Sequence, residues 1–101
     1  MIIDFHTHTF PEKISAKTVQ HLAGISHTLP FTDGSVRELT ASMKEAKVDF
    51  SVNLPVMTSV EQVEKVNSSL INQREELLAQ GIITFGGMHP DYENYKEELR
   101  R

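Results

Sequence analysis

His6 and His8 flank Thr7 at the end of the first apolar run, Ile2-Ile3-Asp4-Phe5, and imidazoles at that spacing can do metal chemistry. A β-strand alternates its faces, so residues two apart point the same way. Strict alternation puts Asp4, His6 and His8 on one face and Ile3, Phe5 and Thr7 on the other. Two imidazoles about 6.6 Å apart along a strand can converge on one cation at about 2.0–2.1 Å from each nitrogen. The alternative is a pair incidental to a His-bearing N-terminal segment. The ligand assignment is preferred because the pair ends an apolar strand, where α/β barrels place their chemistry.

Other residues could serve the same site. Asp4 is either an acceptor that orients an imidazole, an outer ligand, or an acid satisfied by a neighbouring donor. His89 follows the third apolar run and precedes Pro90, as a substrate-contacting or proton-handling group or a plain turn histidine. Asn53 ends the second run, as a polar substrate contact or an amide that closes its own turn. Gly86-Gly87 lacks the fingerprint of a phosphate cradle and suits close approach of backbone to a ligand or helix. His21 and His27 are expected to be solvated, as are the charged stretches Glu61 to Lys65 and Lys96 to Arg101.

The elements that must position these groups alternate strand and helix. Phe10-Pro11-Glu12 reads as a helix start, with a stripe of Ala16, Val19, Leu22 and Ala23 and an end at Gly24. A loop follows to Gly34. Ser35 with Glu38 forms a capping box before Val36, Leu39, Met43 and Ala46. Residues 48–54 alternate with period two and stop at Pro55, as a strand should. Ser59 with Gln62 repeats the capping box, Val63, Val66, Leu70 and Leu77 carry a long helix, and Gly81 closes it. Ile82 to Phe85 reads as the third strand. Asp91 can cap a last helix with a stripe of Tyr92, Tyr95 and Leu99. The order βααβαβα implies an α/β fold with parallel strands and helical crossovers.

Composition narrows the function classes. A chain of 101 residues with 39% hydrophobic and 24% charged residues describes one small globular domain. A net charge of −4 with no basic stripe argues against nucleic acid. Without cysteine, disulfides and thiolate chemistry are excluded. No long apolar run suggests a membrane span or a secretory leader, and the expected setting is the cytoplasm.

Asp4-Phe5-His6-Thr7-His8-Thr9-Phe10-Pro11-Glu12 resembles the opening of the amidohydrolase superfamily, in its amidohydrolase-related branch of metal-dependent TIM-barrel hydrolases and decarboxylases. Ser42 to Ala46, Glu61 to Asn67 and Phe85 to Asp91 are similar to later segments of that branch. The resemblance covers the whole chain but only about the first three strands of a (β/α)8 barrel. It implies that residues 1–101 are the N-terminal part of one incomplete domain, a partial barrel of three parallel strands. A whole barrel takes about 250 residues.

Residue by residue, the resemblance implies that His6 and His8 are the first two ligands of a zinc-type divalent site. The remaining ligands and the catalytic Asp come from later strands in such enzymes, and nothing here matches them. The implied activity is hydrolysis of a small molecule at a C–N, C–O or related bond by metal-activated water, with His89 and Asn53 lining the pocket. The isolated segment is expected to be inactive. A histidinol-phosphatase-type phosphoesterase, whose barrel also opens with His-x-His, is one alternative. A non-catalytic fragment that self-associates is another, since three parallel strands leave two unpaired edges.

Overall fold

The computed structural model describes residues 1–101. Along the chain run β1 (Ile3–Thr7), α1 (Ser15–Ser26), α2 (Val36–Ala46), β2 (Phe50–Asn53), α3 (Gln62–Ala79), β3 (Ile82–Thr84) and α4 (Tyr95–Arg100). The strands form one parallel sheet in the order β1-β2-β3. This is the α/β alternation expected from the sequence. None of the helices is long and apolar enough to cross a membrane.

The caps follow local chemistry, with several departures from expectation. Ser35 caps α2, its Oγ accepting from the Glu38 N–H at 3.1 Å. The Glu38 carboxylate does not return to Ser35; it accepts from the Asp33 N–H at 2.8 Å, while Asp33 accepts from the Ser35 N–H at 2.9 Å. At α3 the reciprocal contact also shifts by one residue. Gln62 reaches back to the N–H and hydroxyl of Thr58, not to Ser59. α1 starts at Ser15 rather than at Pro11, and it runs through Gly24 to Ser26. His27 ends it in the left-handed region at φ 55°, the C-cap conformation that Gly24 was expected to supply. Gly81 does end α3, at φ 83°; a Cβ there would stand 2.7 Å from the Asp49 carbonyl oxygen.

Met43 of α2, Leu77 of α3 and Ile82 of β3 make one core cluster, with Val36, Leu39, Val48 and Leu70 packed around them, and Val52 of β2 and Val63 of α3 are also buried. One face of the sheet is therefore the helix-covered face. Only 11 of 101 residues are buried, and the radius of gyration of 14.0 Å exceeds the roughly 13 Å of a compact chain of this length. Both sheet edges stay open. Ile2, Ile3 and Phe5 are exposed along β1, and Ile83 and Phe85 beside β3. The expected stripe of α4 finds nothing to pack on: Tyr95 and Leu99 are exposed, and the inward side chain is Glu98.

Candidate metal centre

The pairing of β1 with β2 does not keep strict alternation. Ile3 aligns with Phe50, Asp4 with Ser51 and Thr7 with Asn53, so β1 carries one extra residue between Asp4 and Thr7. This is a bulge, which re-aims the side chains beyond it. Aligned residues in parallel strands share a face, and Ser51 aligns with Ile82, a core residue against α2 and α3. Asp4, Thr7, Ser51 and Asn53 thus belong to the helix-side rows, and His6 and His8, which flank Thr7, to the opposite face, which is open to solvent at the histidines although Val52 on it is buried. The expectation that Asp4 shares the histidines' face is corrected here. Its carboxylate instead accepts from the backbone N–H of His6 at 3.1 Å, an amide inside the bulge.

On the open face the two imidazoles converge. Their Nε2 atoms lie 3.1 Å apart, with ring centroids 4.9 Å apart and planes at 84°. The Nδ1–H of His8 donates to the Leu54 carbonyl at 2.7 Å. A neutral imidazole carries one N–H, so this bond leaves the His8 Nε2 lone pair bare. His6 then supplies the proton of the Nε2–Nε2 contact. Two ligands of a tetrahedral ion, each about 2.05 Å from it, stand about 3.3 Å apart. The pair needs a shift of only about 0.2 Å to match, and a tautomer change at His6 to free its Nε2. The donors therefore fit a divalent ion as two of its ligands. No group of three His, Cys, Asp or Glu side chains able to hold an ion is present in this chain.

Asn53 is placed differently from a substrate contact beside the pair. It is 1% exposed on the helix side, where it borders a cleft of about 660 Å³ floored by Leu22, Val36, Val66, Leu70 and Leu77. Its Oδ1 accepts from both the N–H and the hydroxyl of Thr9, at 3.0 and 3.1 Å. Its Nδ2 donates to the Thr84 hydroxyl at 3.2 Å. The amide thus ties the end of β1 to the end of β3 across β2. A second large cleft, about 720 Å³, runs along β3 and α3, and neither cleft includes His6, His8 or His89.

His89 sits half-buried in the segment after β3, its Nδ1 accepting from the Asp91 N–H at 3.2 Å. That leaves the proton of the neutral ring on Nε2. No hydrogen bond joins it to His6 or His8. His21 and His27 are both exposed, as expected.

Sequence reasoning missed the residue that holds this segment. Asn67 of α3 donates to the Gly87 carbonyl at 2.9 Å and accepts from the Gly87 N–H at 2.8 Å, imitating a strand neighbour. It also donates to Glu98, which pairs with Arg101 at 2.7 Å. The Arg101 guanidinium, and secondarily Asn67, hold the Glu98 carboxyl below its ordinary pKa. The Tyr92 hydroxyl donates to the Glu64 carboxylate, which pushes its pKa up to about 12. A signal for Asn67 did exist: it lies at i+4 from Val63 and three before Leu70, a polar residue inside the apolar stripe of α3. Gly87 also permits close packing, since a Cβ there would stand 2.8 Å from Met57 and 3.0 Å from Pro55.

Comparison with protein-family models, with curated proteins and with solved structures finds no match to this chain.

Proposed function

We propose that this chain carries the first two ligands of a divalent-metal site, His6 and His8, in a hydrolase of the amidohydrolase type. The observation that supports it is the 3.1 Å approach of two Nε2 atoms, that of His8 left with a bare lone pair because the Nδ1–H of the same ring donates to the Leu54 carbonyl. That is how a protein prepares an imidazole to bind a metal. When bound, a zinc-type ion supplies Lewis acidity toward a carbonyl and lowers the pKa of water. The chain's own part is to hold the imidazoles together on the open face and to fix the His8 tautomer. His89 is assigned to the substrate side of the site, where its Nε2–H could donate to a small-molecule substrate. Two ligands are fewer than the three a catalytic zinc takes, so the 101 residues alone bind metal without turnover. The three parallel strands are read as the beginning of a (β/α)8 barrel whose later strands complete the ligand set.

The test is metal content. Purified chain loaded with zinc and desalted should retain it, and the His6→Ala/His8→Ala variant should not. Equal occupancy in the two ends the assignment. Phosphomonoesters assayed beside amides and esters on the completed enzyme separate the phosphoesterase alternative.

A second reading is favoured by the open edges. Ile2, Ile3 and Phe5 on one side and Ile83 and Phe85 on the other are exposed apolar residues beside unpaired strands. The sheet is then completed by the remainder of a barrel or by a second copy, and the chain acts as a non-catalytic, self-associating fragment. Sedimentation decides: a compact monomer at high concentration refutes self-association.

A further inference from the structure

We propose that Asn53 is a positioning residue for the imidazole pair, acting from the opposite face of the sheet through the backbone of Thr9. It rests on the reading of His6 and His8 as metal ligands.

The argument begins with what holds His8. On its N-terminal side Thr7 is anchored twice to β2: its carbonyl accepts from the Leu54 N–H at 2.8 Å, and its hydroxyl donates to the Val52 carbonyl at 2.8 Å. On the C-terminal side the chain has left the ladder. There the Thr9 N–H and hydroxyl both bond to a single atom, the Asn53 Oδ1. His8 is thus held between Thr7 and a turn whose first contact is the Asn53 amide, followed by the Phe10 N–H donating to the Gly34 carbonyl at 2.8 Å.

The last residue of β2 and the residue after it make the contacts to His8 and its neighbour. The Leu54 carbonyl takes the Nδ1–H of His8, while the adjacent Asn53 holds Thr9 from the helix side. The Leu54 carbonyl lies in the plane of the sheet and the Asn53 side chain on its helix side, so two consecutive residues hold His8 and Thr9 through different groups. Asn53 is buried, with its Nδ2 spent on Thr84, which leaves its amide one orientation. Without that grip the Thr9 N–H loses its partner, the turn between the Thr7 and Phe10 anchors loosens, and the hold of the Leu54 carbonyl on the His8 ring weakens. Ligand-orienting contacts of this kind typically change metal affinity by about 10–100-fold when removed.

The experiment uses the full 101-residue chain, zinc ion as probe, and nitrogen-15 spectra of the imidazoles. In the parent, metal-free His8 should show a single Nδ1–H tautomer, and zinc should perturb both His6 and His8. Asn53→Ala should weaken zinc binding by about tenfold or more and turn His8 into a tautomer mixture. Asn53→Asp should restore both, because one carboxylate oxygen still accepts from Thr9 and the other can accept from the Thr84 hydroxyl. Met43→Ala, which loosens the core away from the cleft that Asn53 borders, should leave the His8 tautomer as it is. A folded Asn53→Ala chain with the parent's zinc affinity and tautomer overturns the proposal. Should Asn53→Ala not fold, Thr9→Pro removes both the N–H and the hydroxyl that donate to Asn53, and an unchanged His8 signal in the folded Thr9→Pro chain overturns it equally. Zinc that perturbs neither histidine in the parent refutes the metal reading instead, and the tautomer comparison still decides the role of Asn53.

Discussion

Zinc should stabilise this chain, and the size of the effect follows from how the pair is held. His6 and His8 are two residues apart, so the unfolded chain offers both imidazoles too. Excess zinc therefore stabilises the fold only by the ratio of its affinities for the folded and unfolded chains. What folding adds is the 3.1 Å approach of the two Nε2 atoms and the His8 tautomer set by Leu54. A tenfold ratio, the low end for such preorganisation, corresponds to about 1.4 kcal/mol. For a domain of about 100 residues each kcal/mol moves the melting temperature by about 4–8 °C, so the shift is roughly 6–11 °C. Differential scanning fluorimetry with and without zinc measures it. His6→Ala and His8→Ala should each abolish the shift, with little effect on the metal-free melting temperature because both rings are exposed. A shift of equal size in the parent and in both variants would refute the reasoning, since zinc would then be acting elsewhere.

The remaining expectations concern the fold that carries the pair. Leu77→Ala should cost about 2–5 kcal/mol in urea unfolding, because Leu77 is one of three side chains forming the core cluster. The Tyr92 phenol, held by Glu64, titrates near 12 in the folded chain against an ordinary 10.0. The raised folded value means its stabilisation is full below pH 10 and is lost as pH rises through about 12. In a Tyr95→Phe background the phenolate absorbance should therefore appear late, and Glu64→Gln should move it earlier. Glu98 has the opposite sign. Its folded pKa lies below the ordinary 4.5, so its contribution is present above that value and lost as pH falls through the lowered one. Glu98→Gln should flatten the acid limb of the stability profile, read as urea midpoint against pH; an unchanged limb would remove Glu98 from that account.

Much of the fold was legible before any coordinates because its signals are local. Period-two alternation up to Pro55 marks β2, the Ser35 cap marks α2, and Gly81 marks the end of α3. Where the expectations slipped, the competing contacts were also short-range but of equal quality. Gln62 had Thr58 and Ser59 within the same reach and bonded to Thr58. The polar Asn67 in an apolar stripe was visible, but its purpose depends on Gly87, twenty residues away.

By itself, then, the sequence determined that two imidazoles would stand at a strand end in an alternating α/β chain, since both facts depend on neighbours along the chain. Only tertiary structure decided which way they point and what holds them. The extra residue between Asp4 and Thr7 appears only in the pairing with β2. It moves Asp4 off the histidines' face, and the register sets Asn53 behind the sheet and the Leu54 carbonyl against His8. The physical reason is that strand register is a long-range choice. Thr7 meets a partner 46 positions away, and a single inserted residue, invisible to any local pattern, exchanges the faces of every side chain on one side of it.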